Sequence, residues 1–468
     1  MKNIKYVVVF IFVILISSVF ISCAVKNSCK APELNIPESY YENSVDSVSL
    51  VEKKWWEFYT DPHLQRLIEK TLTNNRDMKI ALANITKMAE QNRINTSYLL
   101  PELNGTVSGL RETNDYYQEK EIIDDELSVK ATLSWELDFR GALRWGRKKG
   151  ISEYLASVEA QKAMQMTLVA TVASAYFELV ALDNELDIVK RTLITRREGV
   201  SQAKIRFEGG LTSETSYQQA QVELASTAAL IPELETKIAI KESEIALLSG
   251  ELPNEQKRSM VMNNKELPSY KNVGLPAELI LRRPDVQQAL QELNAAKAQV
   301  GIKHAERFPK VIISITGGVE NDDWANIFKS PFSYTLGSIT APLFNFGRNK
   351  AKFKAAVAEY EQARMKYEKK VLTCFKEVND AIITYNNAHK SSLLKSDLRD
   401  ASRKYVNLAR LQYINGVINY LDVLDAQRKY FDAEIGLNNS IKNEYLALVQ
   451  LYKALGGGWE TTSETNKQ

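Results

Sequence analysis

The sequence predicts a mainly α-helical fold that carries a small β-sheet and is built from two copies of one unit. Three observations predict it: an internal repeat, two long tracts of helix-forming residues, and four short segments in which apolar and polar residues alternate. A repeat near 200 residues is too long for a solenoid unit, whose period is roughly 20–50 residues. The chain therefore contains one architectural half twice.

The repeat is clearest at two turns that contain glycine. Residues 203–211 correspond to residues 409–417 at an offset of 206, and the same offset relates Gly141 to Gly347. The first copy is predicted over 55–250. A linker (251–276), the second copy (277–456) and a C-terminal tail (457–468) complete the chain.

The N-terminus has the pattern of a secretory signal over residues 1–22. Lys2 and Lys5 precede an unbroken apolar run over 6–16, which is too short for a transmembrane helix. The run ends before Cys23, and the small residue followed by Cys resembles a lipobox. We expect Cys23 to carry lipid and to begin a membrane-attached tether over 23–54; the alternative is an ordinary signal with an incidental cysteine.

Charge and residue spacing argue against several classes of function. The net charge is +2 from 60 basic and 58 acidic residues, so no basic footprint for nucleic acid is present. No catalytic triad or phosphate-binding glycine loop appears, so we predict neither an enzyme nor a cofactor. The histidines lack metal-ligand spacing; they are His63, His304 and His389. The acidic pairs Asp124-Asp125 and Asp322-Asp323 are interpreted as solvated loop charge.

Each copy is predicted to contain a first helix and then two long ones. Proline and glycine are absent from 348–414, and at 1.5 Å per residue such a stretch forms a rod of about 100 Å. Rods of this length must pack sideways on other rods as antiparallel, coiled-coil-like helices. The predicted helices are 62–99, 143–208 and 212–250 in the first copy, and 277–307, 348–414 and 418–455 in the second.

Between the helices the hydrophobic period changes from 3.6 to 2, which indicates strands. The predicted strands are 103–110, 127–137, 311–319 and 333–343, and the loops 111–126 and 320–332 are polar and acidic. In the last strand the alternation slips near Gly337-Ser338, as it does at a bulge.

The strand length suits a membrane, although alternation alone also fits a soluble sandwich. A tilted strand needs about 9–11 residues to cross the hydrocarbon. No segment after the signal reaches 18 consecutive apolar residues, so we expect any crossing to be made by strands. Four strands cannot close a sheet in lipid, so protomers must combine. Two protomers supply eight strands, which fill with side chains, and three supply twelve, which leave a pore.

Several motifs are typical of one family. They are residues 274–286 and 295–301, the tract 55–64, the segment 135–138, and residues 342–348. With them the sequence resembles the TolC-like outer-membrane efflux proteins, in particular the lipidated NodT-type branch. The resemblance implies a trimer with a twelve-stranded barrel and an α-helical tunnel. It also implies a passive exit duct whose partners are a periplasmic adaptor, an inner-membrane RND-type pump and outer-membrane lipid.

The resemblance further implies a periplasmic gate at residues 416–427. Asp422 and Asp425 match the aspartates that ring the constriction, and Tyr413 matches an aromatic residue that helps to close it. Carboxylates three apart share one helix face, and rings of carboxylates attract cations. The alternative interpretation is that both aspartates favour the start of a helix. Ile418 stands where some relatives carry an arginine that bonds neighbouring helices.

The two glycine turns resemble the tips at which such proteins meet their adaptor, although hairpin geometry alone would also explain the glycines. The predicted docking residues are Arg206, Gly209, Gly210, Leu211, Thr212, Asn415 and Gly416. Two other functions stay open at this point: the exit duct of a type I protein-secretion system, and a periplasmic coiled-coil lipoprotein that forms no channel. The residues name no cargo.

Overall fold

The protein is described by a computed structural model that covers residues 29–32, 54–114, 122–259 and 282–459. The predicted signal peptide and Cys23 lie outside these residues, as do most of the tether, most of the linker and nearly all of the tail. The described residues form long helices and four strands, which confirms the predicted fold class.

The elements follow the order of the repeat. The first copy contains α1 (Trp55–Phe58), α2 (Pro62–Asn74), α3 (Arg76–Ser97), β1 (Glu102–Asn114), β2 (Ile122–Leu137), α4 (Ala142–Glu208) and α5 (Glu214–Leu248). The second contains α6 (Pro284–Ala305), β3 (Lys310–Asn321), a 3-10 helix (Trp324–Lys329), β4 (Pro331–Thr340), α7 (Arg348–Ile414) and α8 (Tyr420–Ala454).

The long helices reproduce the repeat residue by residue. Both α4 and α7 contain 67 residues, and both α5 and α8 contain 35. Each of these pairs begins and ends at positions 206 apart. The duplication seen in the sequence is therefore also present in the structure.

The four strands form one antiparallel sheet in the order β1-β2-β3-β4. The two copies meet at its centre, where β2 pairs with β3 from Leu127↔Asn321 to Leu137↔Val311. Among the described residues, β1 and β4 each pair with one neighbouring strand, so each leaves one edge of the sheet unpaired.

The two faces of the sheet differ in chemistry. On one face, cross-strand hydroxyl pairs join Ser108 to Ser128 (2.8 Å between oxygens), Thr132 to Thr316 (3.0 Å) and Ser134 to Ser314 (3.1 Å). The other face carries exposed apolar side chains: Leu103, Val107, Val129, Leu133, Trp135, Ile313 and Ile315. One wet and one apolar face is the pattern of a strand between water and lipid.

Strands β1, β2 and β3 are longer than predicted, and Asp124-Asp125 are not loop residues. The ladder of β1 and β2 continues through Arg111↔Asp125 and Glu112↔Asp124. Arg111 donates to both carboxylate oxygens of Asp125, at 2.6 and 2.7 Å. Alternation of apolar residues could not reveal this extension because the first two added pairs, Arg111↔Asp125 and Glu112↔Asp124, are polar. Asp323 does lie between strands, where its carboxylate accepts from the backbone N–H of Ala325 at the start of the 3-10 helix.

The predicted bulge in the last strand is wrong. Residues of β3 and β4 pair one to one through Ile312↔Ser338 and Ile313↔Gly337, and β4 ends at Thr340. The apparent slip arises because β4 places Tyr334 and Leu336 on the hydroxyl face, opposite Thr316 and Ser314.

The single helix predicted over 62–99 is two helices, α2 and α3, which meet at Asn75. Asn75 adopts an extended backbone angle, ψ 134°, and is buried. Its amide nitrogen donates to the carbonyl of Leu248 at 2.9 Å, and its amide oxygen accepts from the N–H of Met78 at 3.1 Å. A side chain that caps the next helix in this way competes with continuation of the previous one.

The residues divide into two compact units. One contains the sheet and combines Asn84–Val158 with Gln287–Lys370, together with the described residues near Cys29. The other is helical and combines residues up to Ala83 with Glu159–Val286 and Val371 onward. Its core is apolar and aromatic, with Phe58 stacked on Tyr452 at 4.2 Å between ring centroids.

Arg283 links the second copy to this helical core. The guanidinium is buried and donates to the carboxylates of Asp285 and Glu377 and to the carbonyl of Ala454. Helix α6 begins at the next residue, Pro284, a position that suits proline because no backbone donor is needed there.

Among the described helices, one has an 18-residue stretch apolar enough to cross a membrane by composition, and it lies in α4. Of that stretch, 72% is buried inside the protein, as in the core helix of a helical bundle.

The turn that ends α5 gives a stability prediction. Gly250 has φ +71°, and a Cβ added there would lie 2.6 Å from the carbonyl oxygen of Asn74. Gly347 has φ +81° with open space around it, so Gly347→Ala is the matched control. Both changes should cost about 1–2 kcal/mol of unfolding free energy for the left-handed backbone. Gly250→Ala should cost a further 1–3 kcal/mol, roughly, for the overlap.

The measurement is urea unfolding of the detergent-solubilised protein, followed by helical circular dichroism. Equal losses in the two variants would show that the contact with Asn74 carries no weight.

Candidate functional site at the helix tips

Two turns at the ends of the long helices have the same geometry. After α4, Gly210 adopts φ +71° and the N–H of Leu211 donates to the carbonyl of Arg206 at 2.8 Å. After α7, Gly416 adopts φ +74° and the N–H of Val417 donates to the carbonyl of Gln412 at 2.9 Å. This is a helix C-cap in which glycine supplies the left-handed residue, so both glycines are explained by the turn itself.

The turns present apolar side chains to solvent. Leu211 is 77% exposed, Val417 is 69% exposed and Ile414 is 69% exposed. Asn415 uses its side-chain amide within the turn, where it donates to the carbonyl of Leu411 at 2.8 Å. Thr212 is half-buried, and its hydroxyl has no hydrogen-bond partner among the described residues. Exposed aliphatic tips are a surface on which another protein can bury apolar area.

Behind the tips the two copies of the repeat pack together in a buried cluster that contains two tyrosines. Tyr413 is buried, its ring centroid lies 5.3 Å from that of Tyr420, and the guanidinium of Arg206 lies over the Tyr413 ring at 4.3 Å. We call the buried set the tip cluster; it consists of Ala203, Ala220, Tyr413, Tyr420, Val423 and Leu424. Two predicted residues from different parts of the chain, Arg206 and Tyr413, are thus in direct contact.

Tyr420 was not identified from the sequence and is central to this packing. Burial raises the pKa of its phenol to about 12. Its hydroxyl lies so close to Gly199 that a Cβ there would be 2.8 Å away. Any side chain at position 199 would therefore force the buried Tyr420 phenol to move.

Asp422 caps the start of α8. The N–H of Asp422 donates to the Asn419 side chain at 3.1 Å, and the N–H of Asn419 donates to the Asp422 carboxylate at 3.2 Å. This reciprocal pair is a capping box, so the structural interpretation of Asp422 is satisfied. The side chain is also exposed, which leaves the predicted role at a gate compatible with the cap.

Asp425 lies one turn further along α8 and pairs with Lys429 at 2.8 Å. Both side chains are about half exposed, so solvent screens the pair and its contribution is small. The roles of Asp422, Asp425 and Tyr413 in a gate depend on other copies of the chain and stay predictions.

Ile418 joins two apolar groups rather than making a polar latch. It packs against the tip cluster and also against the neighbouring group of Val406, Ala409 and Ala426. Within this chain the two hairpins are therefore held by apolar contact at Ile418.

A buried ion cluster close to the tips was missed by sequence reasoning. Arg196 on α4 is 7% exposed and pairs with the Glu223 carboxylate of α5 at 2.5 Å. Arg428 of α8 contacts the same carboxylate at 2.6 Å. Burial lowers the pKa of Arg196, and the negative charge of Glu223 opposes this effect. One carboxylate thus connects three helices.

A signal for this cluster was present in the sequence. Val189, Arg196 and Ala203 are spaced seven apart and all three are buried. A charged residue in an otherwise apolar heptad series must find a buried partner. The repeat gives a second signal, since the position equivalent to Arg196 in the other copy is Ser402.

The two cysteines near the N-terminus are Cys23 and Cys29. Cys23 lies outside the described residues. Cys29 is a buried free thiol, and the next residue, Lys30, accepts a hydrogen bond from the Tyr360 hydroxyl at 2.6 Å. The tether therefore contacts α7 in the unit that contains the sheet.

Within the parts of the chain that the structure describes, no group of three His, Cys, Asp or Glu residues could hold a metal ion. The three histidines lie in separate surroundings. His389 pairs with the buried Glu444 at 2.7 Å, His304 packs beside Phe308, and His63 contacts Arg66.

Comparison with known proteins shows which family this chain is similar to. The profile of a family described as "Outer membrane efflux protein" matches residues 67–251 and 275–457. The solvent efflux pump outer membrane protein SrpC of Pseudomonas putida is 32% identical over 427 residues, covering 89% of this chain and 90% of that protein. The cation efflux system protein CusC of Escherichia coli O6:H1 is 29% identical, covering 94% and 96%.

Solved structures agree with the sequence comparison. A crystal structure of CusC superimposes with a TM-score of 0.84 at 27% identity, covering 92% of this chain and 98% of the other. The open state of the MtrE outer membrane channel of Neisseria gonorrhoeae gives 0.83 at 27% identity, covering 92% and 97%.

The buried ion cluster gives a prediction for local stability. Glu223→Gln removes the carboxylate that pairs directly with the buried Arg196 guanidinium, so helix opening near Arg196 should become easier by about 3 kcal/mol. Arg428→Gln removes an exposed partner and should cost at most about 1 kcal/mol.

Hydrogen–deuterium exchange of peptides from 190–230, followed by mass spectrometry, measures both opening free energies. If Arg428→Gln loosened these peptides as much as Glu223→Gln, burial of the charge would not be what governs this region.

Proposed function

Because the chain belongs to the outer membrane efflux protein family, we propose that it is the passive outer-membrane exit duct of a tripartite efflux system. The observation that carries the proposal is the four-stranded sheet. It has one apolar and one hydroxyl-lined face, and its outer strands each leave an edge unpaired in the single chain. A sheet of this kind suits a wall with lipid on one side and water on the other.

The assembly is proposed to be a homotrimer. Unpaired backbone groups at the edges of β1 and β4 are not tolerated in hydrocarbon, so they must bond to strands of other copies. Eight strands would leave an interior filled by side chains, whereas twelve leave a water-filled path. The helices α4, α5, α7 and α8 of three copies would then form a tunnel of twelve helices across the periplasm.

An adaptor and an inner-membrane RND-type pump complete the proposed system. The exposed aliphatic residues of the tips, Leu211, Val417 and Ile414, support docking of a periplasmic adaptor there. In the proposed system, selection of cargo and transport work belong to the pump. Relatives are named for efflux of solvents and of cations, and small molecules are the cargo class we propose for this chain.

Channel activity tests the proposal directly. The purified protein in planar bilayers should show a small conductance, and mass photometry should find particles of three chains. The double variant Asp422→Asn, Asp425→Asn removes the charge of the proposed gate while retaining a capping acceptor at 422. Its leak should rise and its preference for cations should fall, because carboxylate rings attract cations.

Reversal potential in a KCl gradient measures the cation preference. The double variant Glu233→Gln, Glu235→Gln removes the same charge from exposed positions on α5 and is the control. An unchanged trace in the aspartate variant would remove the gate assignment, and particles of single chains only would remove the duct.

The lipid anchor is a separate proposal with its own test. Cys23→Ser should abolish incorporation of labelled palmitate, because the thiol of Cys23 is the proposed acylation site. Cys29→Ser is the control and should label like the parent protein, since Cys29 is buried in the folded unit. Labelling that persists in Cys23→Ser would show that Cys23 is not the anchor.

A further inference from the structure

At one end of the sheet, three chain segments connect strands to helices. The pairs Leu137↔Val311 and Val311↔Ile339 place the ends of β2, β3 and β4 side by side. The segments that connect these strands to helices therefore lie together at one end of the sheet. They are residues 138–149, 303–310 and 341–354.

These segments concentrate positive charge. Residues 138–149, 303–310 and 348–354 contain twelve Lys and Arg residues and only two acidic ones. The whole chain has a net charge of +2, so this small region carries a charge that the rest of the chain offsets.

Most of this charge is uncompensated. Arg144, Lys149, Lys303 and Lys310 have carboxylate partners. For the other eight residues the described part of the chain contains no carboxylate within ion-pair distance. We call these eight the basic belt: Arg140, Arg147, Lys148, Arg307, Arg348, Lys350, Lys352 and Lys354.

Aromatic rings hold part of the basic belt together. The guanidinium of Arg140 lies over the Phe308 ring at 4.2 Å, and that of Arg307 lies over the Phe353 ring at 5.4 Å. Between them, burial lowers the pKa of His304, and the positive charges of Arg307 and Arg140 lower it further. The three segments thus share one positive electrostatic environment.

The same junction exposes large apolar side chains. Leu343 is 94% exposed, Phe344 is 78% exposed and Phe346 is 91% exposed, all between β4 and α7. Phe139, after β2, is 61% exposed. Apolar side chains beside cationic ones are characteristic of protein segments at the boundary of a membrane.

The opposite end of the sheet has the opposite charge. The described residues of 111–126 and 320–329 contain seven acidic and two basic residues. The two ends of the sheet therefore differ in charge, and the basic residues lie at the end from which the chain continues into the long helices.

We propose that the basic belt binds anionic phospholipid headgroups of the leaflet on the helical side, and that the exposed side chains of Leu343, Phe344 and Phe346 insert among the adjoining acyl chains. The inference rests on the proposed function, which places the sheet in a bilayer. A phosphatidylglycerol headgroup carries net negative charge and offers phosphate oxygens to Lys and Arg. The eight belt cations have no carboxylate partner among the described residues, so their charge is complementary to such headgroups.

The test measures lipid retained by the full-length protein. The protein is reconstituted in vesicles of equal phosphatidylglycerol and phosphatidylethanolamine, extracted with mild detergent, and analysed for bound lipid by mass spectrometry. The belt variant carries Arg147→Gln, Lys350→Gln, Lys352→Gln and Lys354→Gln, all at exposed positions. The control carries the same charge change at four exposed lysines elsewhere: Lys190→Gln, Lys237→Gln, Lys390→Gln and Lys404→Gln.

The parent protein and the control should retain phosphatidylglycerol with about threefold preference or more, and the belt variant should show almost none. The preference should also fall in 1 M NaCl, where the Debye length is about 3 Å. Arg147→Lys keeps the charge and should keep the preference.

Equal preference in the belt variant and the control would overturn the proposal. Loss of the oligomer in the belt variant would also overturn it, because the belt would then be a contact between copies. Conductance in bilayers without phosphatidylglycerol is measured in parallel. If the parent protein showed no conductance, the proposal that it is a duct would be refuted. Loss of the lipid preference alone would leave that proposal intact.

Discussion

The backbone hydrogen bonds at the two edges of the sheet constrain this protein more than any other interaction. Within the chain, β2 and β3 are paired on both sides, while β1 and β4 are paired on one side only. Each unpaired N–H and C=O group in hydrocarbon costs several kcal/mol, roughly, so the edges cannot face lipid alone. For the proposed position of the sheet in the membrane, the need for further copies follows from the backbone alone and does not depend on any particular side chain.

Each copy of the repeat contributes two strands and one helical hairpin, but the two copies differ in the side chains that make contacts. The long helices keep equal lengths and the two turns keep the same capping bonds. At the tips, however, Tyr413 corresponds to Phe207, and the buried Arg196 corresponds to Ser402. A symmetric scaffold thus carries an asymmetric set of side-chain contacts.

Sequence reasoning succeeded where one period dominates and failed where partners are distant in the chain. The bounds of α7 follow from a stretch without proline or glycine. The break at Asn75 does not, because Asn75 bonds to Leu248 on another helix. The polar extension of β1 and β2 was missed for a similar reason, since Arg111 and Asp125 stabilise each other only once the strands pair.

By itself, the sequence determined the repeat, the type of each long element and the family, because hydrophobic period, glycine turns and short motifs are local properties. It also placed both tips, since a left-handed glycine after a long helix ends that helix wherever it lies. Only the tertiary structure decided that Arg206 lies on Tyr413 and that Glu223 forms ion pairs with two arginines. It also decided that the basic segments lie at the same end of the sheet. Those contacts join residues far apart in the chain, and a contact of that kind exists only after helices and strands have packed.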